Sequence, residues 1–142
     1  MKHFLATLLF ITTATCALAQ NVKLIFDKTS PQAAYAAGRL QKTLLTKKHA
    51  IAAGGYVISI NINKQLGEEG YSIKPVGKTI SVTGGDGTGL IYGTLSVAED
   101  IANGVKLGAI KSSTGKPQMA LRAVKYDLPW DTYRHSNALD QH

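Results

Sequence analysis

From Tyr56 to Ile62 the chain alternates, with Ile58, Ile60 and Ile62 on one side and Ser59 and Asn61 on the other. Period-two alternation predicts a half-buried strand. The pattern returns within Glu69–Pro75 through Tyr71 and Ile73, and within Lys78–Gly84 through Ile80 and Val82. Only Val76-Gly77 and their neighbours separate these two runs, which predicts an antiparallel hairpin. An earlier apolar run, Val22–Phe26, reads as a further short strand. Between the first two strands the period changes. Ala33, Ala37, Leu40 and Leu44 recur at helical spacing. Ser30-Pro31 supplies an N-cap followed by proline at the first helical position. Lys47, Lys48 and His49 suit the negative end of that helix, and Gly54-Gly55 breaks the chain after it. A second helix is predicted from Leu90, Ile91, Leu95, Ala98, Ile101 and Ala102, ended by Asn103-Gly104. Gly93 inside it costs about 1 kcal/mol against alanine, a cost that close packing on the sheet would account for.

The order β-α-β-β-β-α over residues 20–104 predicts an α+β domain. In it a small, mostly antiparallel sheet carries two helices on one face. The stretch "KLGAIKSSTGKPQM" is polar and contains glycine, so residues 105–120 read as a linker or hairpin. "LRAVKYDLPW" is strand-like again, but its apolar residues have no evident partners in the preceding layer. Residues 121–142 are therefore expected to be the truncated start of a second domain.

Composition and charge modify this picture in two places. Residues 1–19 combine a basic start at Lys2, an apolar stretch and the small-x-small ending Ala17-Leu18-Ala19. These are the marks of a secretory signal cleaved after Ala19, too short and threonine-rich to span a membrane stably. A secreted or periplasmic location is expected. Cys16 does not sit in a lipobox, because Thr13 and Thr15 stand where an aliphatic and a small residue are needed. Cleavage after Ala19 would leave no cysteine, so the domain must rely on its apolar core. The formal net charge is +7. The bases are scattered and not interleaved with aromatics, so a solvated basic surface is favoured over nucleic-acid binding.

"SVTGGDGTGLIYGTL", Ser81–Leu95, holds the strongest candidate for chemistry. Strand, glycine loop and helix form the layout of a phosphate cradle. "GGDGT", Gly84–Thr88, also resembles the nucleotide loop of diacylglycerol kinases and NAD kinases. Three features weigh against that reading. The preceding strand alternates and pairs locally, the likeness stops outside five residues, and an exported protein meets little ATP. The structural reading gives the glycines positive φ at a strand-to-helix reversal. It gives Asp86 or Thr88 the helix cap, and Gly89 and Gly93 a close approach to the sheet. No cofactor is expected. No metal site is expected either, since H-E-x-x-H is missing and His3, His49, His135 and His142 do not cluster.

A wider resemblance covers most of the chain after residue 19. Glu69, Tyr71 and Ile73, then Ile80, Val82 and Gly84, then Gly89, Tyr92 and Gly93 follow a pattern of two strands, a glycine turn and "G-x-x-Y-G" on a helix. This is similar to the non-catalytic N-terminal domain of exported bacterial glycoside hydrolases, as in β-N-acetylhexosaminidases and α-glucuronidases. The resemblance implies a zincin-like α+β shape without a metal centre. It also implies a (β/α)8 barrel that follows, holds the catalytic carboxylates and packs on this domain. Carbohydrate would then be bound through the downstream barrel. Arg122 and Trp130, with Asp131, match in part the substrate-contacting positions near the first barrel strand. Ala123 and Thr132 depart from the family patterns, which leaves the sugar open. Arg122 and Trp130 are the candidate substrate-binding residues, and no catalytic residue is assigned. A stand-alone carbohydrate-binding module is the alternative, with Tyr35, Tyr56, Tyr71 and Tyr92 as its few aromatics before residue 120.

Overall fold

A computed structural model describes residues 20–119. The elements run β1 (Asn21–Phe26), α1 (Pro31–Thr46), β2 (Ala50–Ile51), β3 (Tyr56–Ile62), β4 (Tyr71–Val76), β5 (Thr79–Gly84), α2 (Gly87–Ala102) and β6 (Ser113–Gly115), with single 3-10 turns at Lys64–Leu66 and Leu107–Ala109. Six strands form one sheet in the order β2-β1-β3-β5-β4-β6. This is the expected small α+β layer, with two strands more than the sequence pattern announces.

The direction of the strands refines the expectation of a mostly antiparallel sheet. β4 pairs antiparallel with β5 and with β6, and the β4–β5 hairpin turns at Gly77, whose φ is 57°. β1 pairs in parallel with β2 and β3, and β3 pairs in parallel with β5. The sheet is therefore mixed. α1 is the crossover that carries the chain from the end of β1 back to the start of its parallel neighbours.

Both helices cover the same face. α1 starts as its sequence dictates, with the Ser30 hydroxyl accepting from the Ala33 N–H and proline in the first turn. It buries Ala33, Ala36, Ala37, Leu40 and Leu44. α2 buries Leu90, Val97, Ala98 and Ile101, together with Gly93 and Thr94. Thr94 is polar yet fully buried, because its hydroxyl donates to the Leu90 carbonyl one turn back at 2.8 Å. Leu95 and Ala102, expected on the apolar face, lie at its margin, half-buried and exposed respectively. Gly104 closes the helix with a φ of 88°.

The inward positions of the strands complete the core: Val22 on β1, Ile58 and Ile60 on β3, Ile73 on β4, Ile80 and Val82 on β5. Each such side chain contributes about 1.5–3 kcal/mol by leaving water. The opposite face is polar at its centre, where the Ser59 and Ser81 hydroxyls meet at 3.3 Å across the β3–β5 pair. Beyond Gly104 the chain adds Leu107 and Ile110 to the core, then β6 to the sheet edge. Beyond the start of β6, where Ser113 pairs with Ile73, Pro75 has no N–H to offer and blunts the remaining edge of β4. No helix among the described residues is long and apolar enough to cross a membrane.

Candidate functional site

The glycine loop lies between β5 and α2, at the carboxyl end of a strand that has a parallel neighbour. Alternation along β5 therefore did not exclude a parallel pair, and that ground against a phosphate cradle falls. The hydrogen bonds of the loop take its place. The Gly85 N–H donates to the Gly70 carbonyl at 2.7 Å, and the Leu90 N–H to the Asp86 carbonyl at 3.0 Å. Asp86 is the N-cap of α2. Its Oδ1 accepts the Gly89 N–H at 2.7 Å, and its Oδ2 accepts the Glu69 N–H at 3.1 Å from the loop before β4. One carboxylate thus ties the start of α2 to the lead-in of β4. The Gly89 N–H, with smaller help from those of Glu69 and Thr88, holds the Asp86 carboxyl below the usual carboxylate range, against the opposing effect of burial. It is ionised at neutral pH and committed to backbone donors, so it is poorly placed to act as a general base.

The glycines serve close approach. None of Gly84, Gly85, Gly87 and Gly89 adopts the left-handed φ that the sequence reading gave them; that conformation occurs at Gly54, Gly67, Gly77 and Gly104. A Cβ on Gly85 would overlap the Gly67 carbonyl and stand 2.8 Å from its carbon. On Gly89 it would overlap the Gly70 carbonyl and stand 2.9 Å from the Glu69 carbon. On Gly93 it would lie 3.0 Å from Val82 Cγ1 and 3.1 Å from Tyr71 Cβ. The residues that carry the family pattern therefore meet one another. Gly93 of the helix sits over Tyr71 and Val82 of the strands, and Gly89 sits over the Glu69-Gly70 peptide. Glu69 itself adopts a φ of 56°, a left-handed conformation that no letter of the motif signals.

α1 and α2 run side by side in the same direction. A Cβ on Gly87, at the start of α2, would meet the Gln32 side chain at the start of α1. At the other end Ala102 faces Arg39, Lys42, Thr43, Thr46 and Lys47 across a shallow cleft of about 230 Å³. Of its three cations only Lys47, the C-cap of α1, stands at the negative end of a helix, and neither helix has a basic residue in its last turn. A second open cleft, of about 390 Å³, follows the β4–β6 edge and is lined by residues 72–76 and 112–114, apolar Ile73, Pro75 and Val76 among them. Neither cleft is lined by a carboxylate, and glycoside cleavage needs two of them, about 5–10 Å apart. No group of three or more His, Cys, Asp or Glu side chains that could hold a metal exists among the described residues. Arg122 and Trp130, and with them Asp131, lie outside the described residues. So does the expected barrel start at 121–142.

Comparison with known proteins places this geometry. The family described as Glycosyl hydrolase family 20, domain 2, matches residues 8–113. No curated protein matches the chain. Among solved structures, a GH138 enzyme targeting pectin rhamnogalacturonan II is similar over 71% of this chain, with a TM-score of 0.64 and 22% identity. That likeness concerns the fold. CpGH84B is similar over 54% of the chain, with a TM-score of 0.40 and 19% identity, too distant to bear on the fold. The chain spans 16% of the length of each of these two. A six-stranded sheet with two parallel helices on one face, and a glycine loop committed to packing, thus accompany a family match over most of the sequence. The chain belongs to glycosyl hydrolase family 20, domain 2, an accessory domain of glycoside hydrolases.

Proposed function

We propose that this domain is exported, with a leader cleaved after Ala19, and that it buttresses the (β/α)8 barrel of a glycan-degrading glycoside hydrolase of hexosaminidase or α-glucuronidase type. The observation that carries the reading is the family match over residues 8–113. It is supported by the Gly85 and Gly89 N–H groups of the loop, which are turned inward to the Gly70 carbonyl and the Asp86 carboxylate instead of outward to a ligand. In this reading the domain contributes rigidity and an interdomain surface. The carboxylates that cleave the bond belong to the barrel, and the carbohydrate is bound there.

Arg122 and Trp130 are the proposed points of contact with substrate. An arginine presents its donors in a fixed planar fork that suits a uronic-acid carboxylate or a vicinal diol. Losing one charge-assisted contact costs roughly 1.5–3 kcal/mol, on the order of 10- to 150-fold in kcat/KM. The test is hydrolysis of aryl-glycosides by the protein extended through its downstream domain. Arg122→Ala should lose activity by that factor with an unchanged Tm, and Arg122→Lys should recover little. Unchanged activity, or a Tm that falls in step with it, refutes the assignment. The 142-residue chain alone should turn over none of these substrates. Intact-mass analysis of the exported protein should find Gln20 at its N-terminus, and a retained Met1 would refute the leader.

A further inference from the structure

We draw no further inference here: the strongest candidate, the outward face of α1 where Tyr35 and Leu45 are exposed and the mid-helix Gly38 has open space around it, is an unpartnered face and nothing in the structure shows what covers it.

Discussion

Two glycine-to-alanine changes, one in α1 and one in the loop before α2, should move stability in opposite directions. At Gly38 an added Cβ meets nothing within 4 Å, and the residue is exposed inside a regular helix. Alanine there restricts the unfolded chain and favours the helix, a gain of about 0.5–1 kcal/mol. For an ordered unit of this size each kcal/mol moves Tm by roughly 4–8 °C, so Gly38→Ala should melt about 2–8 °C higher. At Gly85 every near atom is backbone: the carbonyl oxygen of Gly67, its carbon at 2.8 Å and its nitrogen at 3.2 Å. None of these can rotate away. The loops must separate, which adds overpacking strain of about 1–3 kcal/mol. Separation also stretches the 2.7 Å bond from the Gly85 N–H to the Gly70 carbonyl, and a buried donor left unpaired costs about 1–3 kcal/mol more. The sum, roughly 2–6 kcal/mol, is a large share of the 5–15 kcal/mol that holds a typical domain. Circular-dichroism melts and urea titrations of the chain would read both changes. A Gly85→Ala protein that melts within about 2 °C of the parent would refute the close-approach account of the loop. A destabilised Gly38→Ala protein would show that this position is not free.

Asp86→Ala should cost about 0.5–2 kcal/mol as a lost helix cap, with the Glu69 N–H deprived of its acceptor as well; chemical denaturation measures it, and a neutral result would refute the capping role. The Asp86 carboxyl titrates below its ordinary value of 3.8. The unfolded chain therefore binds more protons than the folded one as pH falls toward and below 3.8, and the stability this group contributes is lost as pH passes through its folded value. Asp86→Asn should flatten that part of the acid limb. An acid limb identical to the parent's would show that another group controls it; Asp27, lowered in the same way by the Thr29 hydroxyl and N–H, is the next to test. Titration with Mg-ATP should release no saturable heat, and micromolar binding abolished by Asp86→Ala would overturn the reading of the loop.

Much of the fold was legible because its signals are local. Ser30-Pro31 starts a helix, Asn103-Gly104 ends one, and the alternating isoleucines mark the strands whose inner face is buried. Strand direction was legible only in the β4–β5 hairpin, where the short turn dictates it. Alternation reports that one face is covered and the other is open, and β3 and β5 satisfy that whether their neighbours run parallel or antiparallel. β2 and β6, with two and three residues, are too short to show any period. Thr94 was missed at the core because its hydroxyl is satisfied within its own helix. The glycines of the loop were noticed, but a letter cannot say whether its missing side chain frees a dihedral or makes room for another backbone. For Gly85 and Gly89 the answer depended on Gly67 and Gly70, some eighteen residues earlier in the chain. The candidate substrate contacts, Arg122 and Trp130, rest on the resemblance.

Asp86 gives the loop a further meaning. In a nucleotide site, the positive end of a helix and its spare N–H groups receive a phosphate from solution. Here the chain has brought its own anion, fixed by a covalent tether one residue before the helix begins. An incoming phosphate would have to evict a competitor that can never diffuse away, and would leave the Glu69 N–H bare in doing so. The same five letters, Gly84 to Thr88, can thus spell an open receptor or one already occupied from within. What separates the two is a partner outside the motif, and here it is the backbone of Glu69.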